Sequence, residues 1–407
     1  MALASTTEPL RAELAAALPQ RPFEVRFWDG SSLRSTDGDG GPVFEAQSPR
    51  AVAHVLRAPG QLGLSRAYVS GELAVDDIDK LLDLLRDWTP PPIDAAQRRR
   101  LLLAAVRAAG IMRPPRPPAA ELRPRGTRHS IERDARAVRH HYDVANEFFA
   151  LFLDASMTYS CAIFADPSRD GEPLESAQER KLETICRKLA LRSGERLLDV
   201  GCGWGSFAIH AAARHGADVL GITLSSPQAR LARERAAAAG VADRVEIRVA
   251  DYRDLDGERF DAIASIGMVE HVGDARLDEY AAALARSLVP GGRLLNHGIA
   301  RLRHGASQEA GAFSERYVFP DAAPMHLSRV LLALERAGFV CEHVEGYAEH
   351  YARTLEHWAE RLDSNAAEAE RLAGPERMRI WRLYLRAARS GFQSGFTSIY
   401  QVRCRRP

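Results

Sequence analysis

Gly201, Gly203 and Gly205 follow the apolar run Leu197-Leu198-Asp199-Val200, and Phe207, Ala208, Ala211 and Ala212 then recur at helical spacing. That order reads as a buried strand, a tight glycine turn and a helix. Glycines let the backbone approach a ligand closely and take dihedrals closed to a residue with a Cβ. The helix start adds unpaired N–H groups and a partial positive charge. Such a turn either holds a nucleotide-like ligand or simply packs a helix on a strand. The next strand, residues 217–222, ends in Thr223-Leu224-Ser225-Ser226. It lacks the acid that a dinucleotide fold places about 20 residues on for the ribose. A third strand, Val245–Val249, runs into Asp251-Tyr252. Taken alone, Asp251 reads equally well as a helix cap or a turn residue. Glu270 and His271 lie just past a fourth strand, 260–267, and His297 ends a fifth, 290–297. One acid or histidine beyond a strand is more often a cap or surface group. Several at adjacent strand ends point to a reaction centre.

These residues need a sheet to hold them. Strands alternate with helices at 274–288 and 325–337, and 340–344 and 396–402 are candidates for the last two strands. Alternation of this kind implies a mostly parallel sheet with helices on both faces and ligands at its carboxyl ends. Residues 1–90 read as a separate α+β module. Phe23, Val25 and Phe27 alternate before an Asp29-Gly30 turn, as in a small antiparallel sheet. Ser48-Pro49 starts one helix, and residues 76–88 form another with Ile78, Leu81, Leu82 and Leu85 on one face. Residues 91–128 are expected to be a Pro/Arg-rich linker, followed by a catalytic domain over 129–407.

The net charge of +1 over 407 residues gives no global field for polyanions. Locally, residues 98–139 hold 12 Arg against Glu121, Glu132 and Asp134. That segment is either a solvated linker or a basic patch for anionic lipid headgroups, worth about 1 kcal/mol per cation at the surface. No aromatic stacking pattern or recognition helix accompanies the arginines, which argues against nucleic acid. The five scattered cysteines read as free thiols. There is neither a signal-peptide core nor a run of about 18 apolar residues. A cytoplasmic protein with peripheral membrane contact is expected.

Asp199-Val200-Gly201-Cys202-Gly203-Trp204-Gly205, with the acid–aromatic pair after strand three, resembles S-adenosylmethionine-dependent methyltransferases of the doubly wound type. The resemblance sharpens with His141-Tyr142-Asp143, Tyr159-Ser160-Cys161, Ser265 to Gly273, Tyr317-Val318-Phe319-Pro320, and His350-Tyr351 followed by Thr354-Leu355. In that order they are similar to the cyclopropane-fatty-acyl-phospholipid synthase family, including its mycolic-acid-modifying relatives, across residues 130–405. Residues 62–72 resemble the family's extra N-terminal domain, which the mycolic-acid enzymes lack. That tilts the expectation toward phospholipid acyl chains.

The resemblance implies a seven-stranded class I methyltransferase sheet, Rossmann-like, with the smaller N-terminal α+β domain attached. It implies that Gly201 and Gly203 line the methionine part of S-adenosylmethionine. Thr223, Leu224 and Gln228 replace the ribose-binding acid, Asp251 and Tyr252 face the adenine, and Thr158, Tyr159 and Ser160 close over the cofactor. It implies methylene transfer to the cis double bond of unsaturated phospholipid acyl chains in anionic membranes, through a carbocation walled by aromatics such as Tyr142 and Tyr317. For Phe148 and Phe152 ordinary core packing is the stronger reading. The base implied is a bound bicarbonate, held by Cys161, Glu270, His297, Tyr351 and the backbone N–H of Ile299. Asn296 and Gly298 depart from the family's commoner spelling beside that histidine. A product with an exocyclic 10-methylene group is the alternative on the same chemistry, and the family layout is compatible with a homodimer.

Overall fold

The computed structural model describes residues 7–38, 40–110, 115–122, 145–255, 257–301, 311–318 and 324–407. They fall into two compact units, the first formed by Met1–Leu122, Gly311–Val318 and Gly374–Ala387 and the second by the remainder.

The first unit contains α1 (Glu8–Ala17), β1 (Glu24–Arg26), β2 (Ser32–Leu33), β3 (Val43–Ala46), α2 (Pro49–Arg57), α3 (Gln61–Val69), β4 (Leu73–Val75), α4 (Ile78–Asp87) and α5 (Ala95–Ala109). Ser48 caps α2 by accepting the Arg50 N–H, with Pro49 at the first helical position, as the sequence suggests. The sheet runs β2-β1-β3-β4. It is not purely antiparallel, because β1 and β3 pair in parallel. β2 takes one edge of β1, and the connection after Leu33 returns the chain to the starting end of β1, so β3 runs beside it in the same direction.

The expected linker over 91–128 also needs correction, since α5 occupies Ala95–Ala109. Asp94 caps it, accepting the Gln97 N–H at 2.7 Å. The prolines stand outside this helix, and its interior is mostly Ala, Leu and Arg, all good helix formers. Ala104 and Ala108 bury against Leu10, Phe27 and Leu33, which anchors the helix in the unit's core.

The second unit runs through α6 (Asn146–Ala150), α7 (Leu174–Lys188), β5 (Arg196–Val200), α8 (Ser206–His215), β6 (Asp218–Thr223), α9 (Ser226–Ala238) and β7 (Val245–Val249). It continues through β8 (Phe260–Ile266), α10 (Val269–Val272), α11 (Leu277–Ser287) and β9 (Leu288–Arg301). Helix α12 (Ala312–Tyr317) counts with the first unit. Then come α13 (Leu327–Arg336), β10 (Val340–Gly346), α14 (Ala348–Ser364), α15 (Ala366–Gln393) and β11 (Thr397–Arg405). The sequence had indicated neither α14 nor α15. In α15, Gly374 at φ 81 and Pro375 interrupt the helical dihedrals, and residues 374–387 count with the first unit. The expected 129–407 domain therefore yields two of its segments to the other unit.

The seven-stranded sheet has the order β10-β11-β9-β8-β5-β6-β7. The five strands β9 to β7 are parallel, and β11 is antiparallel to both β9 and β10. Strand residues alternate between faces. Leu197, Val219, Ala264 and Leu295 join a cluster with the buried sides of α7 and α8. Their neighbours Leu198, Leu220, Ile263 and Leu294 join another with α11 and α13. Both faces are therefore covered, as a parallel sheet requires, and the doubly wound fold expected from the sequence is present. Strand order reverses between β5 and β8, where a ligand crevice opens at the carboxyl ends. Glu183 on α7 accepts from His210 and His215 of α8 at 3.3 and 3.0 Å, tying these helices together.

Candidate active site

The crevice beyond β5 is a cavity with about 1220 Å³ of atom-free space, counting its open mouth. Thr158, Tyr159, Ser160, Gly201, Gly203, Thr223, Leu224, Gln228, Asp251 and Tyr252 all line it. The ten residues singled out for the cofactor thus come together from four separate stretches of chain.

Each wall has a local cause. The Gly201 and Cys202 N–H groups both donate to the Ile222 carbonyl, at 3.0 and 2.9 Å, which binds the turn to the end of β6. Gly201 sits at φ 80, and a Cβ there would lie 2.6 Å from Met268 Cγ. At Gly203, φ 54, a Cβ would meet nothing within 4 Å, so the backbone borders open space. Thr223 Oγ1 donates to Gln228 Oε1 at 2.8 Å, and both side chains are buried. Asp251 does what an isolated reading allowed and caps the short turn Tyr252–Asp254. Arg253 also holds it through Nε and Nη2, each at 2.7 Å. A carboxylate has about four acceptor sites, so one remains for a ligand.

Residues 158–160 are held from α7. Gln178 donates to the Thr158 and Ser160 carbonyls at 3.3 and 2.9 Å, and Lys181 Nζ donates to Ser160 Oγ at 3.0 Å. Just before them, Met157 takes φ 55, a conformation non-glycine residues seldom adopt and which clusters at functional sites. Burial lowers the Lys181 pKa to about 8 and raises that of Asp199 to about 7, each opposed by the other's charge. The sequence assigns no site role to Lys181 and Gln178, or to Trp204 beyond its place in the glycine motif. Their only signal is a polar or aromatic side chain on an otherwise core-facing position.

The second group lies behind the cavity wall. Gly267 lines the cavity, and a Cβ there would come 3.9 Å from Glu270 Oε1. Helix α10 presses on β9 so closely that Gly298 cannot be larger, since a Cβ would lie 2.2 Å from Val269 Cγ1 and 3.1 Å from Glu270 Oε2. Burial raises the Glu270 pKa to about 7, against N–H groups of its own residue and Ile299. The Ile299 N–H, expected to hold an exogenous anion, is thus directed at the Glu270 carboxylate. His297 is fully buried, and burial with the charges of Lys181 and Lys188 lowers its pKa to about 3. Glu270 Oε2 and His297 Nε2 are both buried without a hydrogen-bond partner among the described residues.

Cys161 is also fully buried. Its Sγ donates to the Ala162 carbonyl at 3.1 Å and lies 3.7 Å from that of Tyr347, and burial pushes the thiol pKa up. Tyr347 in turn stacks on His297 with centroids 6.1 Å apart. Tyr351 begins one turn further along, its N–H bonded to the Tyr347 carbonyl at 3.0 Å, and packs on Trp358 and Phe392. Tyr159 stacks on the same Trp358 at 5.1 Å. Phe148 and Phe152 are fully buried in an aromatic cluster with Phe149, which fits their reading as core. Tyr317 belongs to the first unit, where its hydroxyl donates to Glu121 at 3.1 Å and Arg66 clamps the same carboxylate. Tyr142 lies outside the described residues.

A family model described as mycolic acid cyclopropane synthetase matches residues 129–402. "Probable fatty acid methyltransferase Rv3720" of Mycobacterium tuberculosis is 38% identical over 400 residues, covering 96% of this chain and 92% of that protein. Cyclopropane-fatty-acyl-phospholipid synthase of Escherichia coli K12 is 32% identical over 360 residues, covering 88% and 86%. The solved structure of mycolic acid cyclopropane synthase CmaA1, complexed with SAH and CTAB, superposes with a TM-score of 0.63 at 32% identity, over 67% of this chain and 98% of that one. With its class I methyltransferase fold and a family match over residues 129–402, the chain belongs to the mycolic acid cyclopropane synthetase family.

Proposed function

We propose that the protein is an S-adenosylmethionine-dependent C-methyltransferase that forms cyclopropane rings on unsaturated phospholipid acyl chains, with bicarbonate as the bound base. The observation that carries this is that Glu270 Oε2, beside Gly267 of the cavity wall, and His297 Nε2 are each buried without a hydrogen-bond partner among the described residues. Leaving such an atom unmatched costs about 1–3 kcal/mol, so each calls for a ligand group.

When bound, the cofactor supplies an electrophilic methyl group on a sulfonium. The chain's own residues have three tasks. The turn Gly201–Gly205, with Thr223, Gln228 and Asp251, would hold and orient the cofactor, as an isolated double bond, a poor nucleophile, requires. Tyr159, which lines the cavity and is backed by Trp358, helps keep water from a cation developing on the acyl chain. Glu270 and His297 would hold an anion, which would supply the base for the proton lost on ring closure. One atom accepts and the other donates, which suits a bicarbonate with one O–H and further acceptor oxygens. Cys161 serves as a polar wall. Its raised pKa leaves it a thiol, a weak nucleophile.

Access to lipid is read from α5. Its solvent side carries Leu102, Leu103 and Val106, exposed by 53, 48 and 50%, among the exposed Arg98, Arg99 and Arg107. Apolar side chains interspersed with cations suit the interface of an anionic bilayer. No helix among the described residues is long and apolar enough to cross one. A cytoplasmic enzyme acting peripherally on the inner leaflet follows from this reading, without a role for nucleic acid.

The same machinery yields a 10-methylene product if a different proton leaves. The high identity to a protein named for fatty acid methylation, across nearly the whole chain, favours keeping this second reading. Incubation with S-adenosylmethionine and unsaturated phospholipid vesicles, followed by mass spectrometry resolving ring from methylene products, tests both. Unmodified acyl chains across a range of headgroups would overturn them.

A further inference from the structure

Helix α7 ends at Lys188, and its ammonium joins three elements. It donates to Gln401 Oε1 at 2.6 Å, Glu345 Oε2 at 2.5 Å and the Tyr347 hydroxyl at 3.0 Å. Gln401 of β11 stands directly opposite His297 of β9 in the antiparallel ladder and is fully buried. Its Nε2 is 3.1 Å from His297 Nδ1.

An ammonium has no lone pair, so the Gln401 atom facing Lys188 has to be the amide oxygen. The NH₂ is then turned to His297, and Nδ1 has to accept from it. In the neutral ring the remaining proton sits on Nε2, the atom without a partner among the described residues. Tyr347 braces the arrangement, donating its hydroxyl to Glu345 at 2.6 Å while its ring lies at 23° to the imidazole.

We propose that Lys188 and Gln401 are positioning residues that fix His297 as its Nε2–H tautomer, so that Nε2 presents a donor and no acceptor. The catalytic half of this inference rests on the proposed function; the tautomer does not. The consequence is a division of labour: Glu270 accepts, His297 donates, and neither nitrogen of His297 is free to take a proton. The base has to come from what these two residues hold. Burial and the nearby lysines, which depress the His297 pKa, act in the same sense.

The test uses the full-length protein with ¹⁵N-labelled histidine, the His297 signals being identified by their loss in His297→Gln. In the wild type, Nδ1 should resonate as the bare nitrogen and Nε2 as the protonated one at neutral pH. Gln401→Glu keeps the Lys188 contact but offers only acceptors, so the proton should move to Nδ1 and the two signals exchange character. Turnover should fall roughly tenfold to a hundredfold, the effect of losing one hydrogen bond to a charged group. Lys188→Met releases the amide to rotate and should give mixed tautomers with a smaller loss, whereas Lys188→Arg should keep the wild-type spectrum. An unchanged tautomer in folded Gln401→Glu, or in Lys188→Met should the former not fold, would overturn the inference. So would an exchanged tautomer with unchanged turnover. If the wild type itself turns over no lipid, the proposed function fails while the spectra still decide the tautomer.

Discussion

Gly298 and Val269 are in such close apposition that a single Cβ on the glycine would fall 2.2 Å from Val269 Cγ1. That contact sets the distance between β9 and α10, and hence between His297 and Glu270. Gly298→Ala should push α10 outward and destabilise the fold by about 1–3 kcal/mol, as overpacking does. Turnover should fall further than cofactor affinity, because α10 supplies only His271 and Val272 of the cavity lining. Thermal unfolding and calorimetric titration of the same variant measure both, and unchanged stability with unchanged turnover would refute the steric argument.

Gly203 borders the cavity at φ 54, which a β-branched residue does not readily adopt. Gly203→Val should therefore abolish S-adenosylmethionine binding in calorimetry. Wild-type affinity in that variant would remove the turn from the cofactor site.

Glu270 titrates near pH 7 rather than near 4.5 because it is buried. Below about pH 7 it carries a proton and ceases to be a charged acceptor, so activity should fall with decreasing pH through that value. Glu270→Gln should lose roughly tenfold to a hundredfold in rate and lack this acidic limb. Stability runs the other way. A folded pKa above the unfolded one gives a contribution present below about pH 4.5 and lost as pH rises through about 7. Wild type should thus weaken relative to Glu270→Gln over that window in denaturant titrations. A constant difference between them would contradict the shifted pKa.

Cys161→Ser should retain appreciable activity, since a wall tolerates replacement where a nucleophile does not. Complete loss together with a trapped covalent adduct on the wild-type thiol would reverse this role.

The exposed face of α5 should bind anionic vesicles in a salt-sensitive way, charges beyond about 8 Å being screened at physiological ionic strength. Leu102→Glu with Val106→Glu should release the protein in co-sedimentation while leaving its fold intact. Binding indifferent to salt, to lipid charge and to both substitutions would exclude this helix as the contact.

The sheet and its ligand turn were legible in the sequence because their signals are local. Apolar runs of strand length, glycines after Val200 and the Ser48-Pro49 start all act within a few residues. The strand-end rule then gathers Thr223, Gln228, Asp251, Glu270 and His297 without any knowledge of packing. Longer-range facts had no such signal. Gln401 meets His297 across 104 residues, and Lys188 reaches Gln401 across 213. Nothing in the residues around Lys188 marks it as more than a helix-terminal cation. The prolines around α5 concealed a helix that Ala104 and Ala108 stabilise only by burial against α1 and the small sheet. Tyr317, within a motif tied to the catalytic half, folds into the first unit, because compact units follow spatial contacts and not chain order. Residue types and spacing specified which groups stand at the strand ends. Hydrogen-bond partners and protonation states were decided by burial and by side chains arriving from elsewhere in the chain.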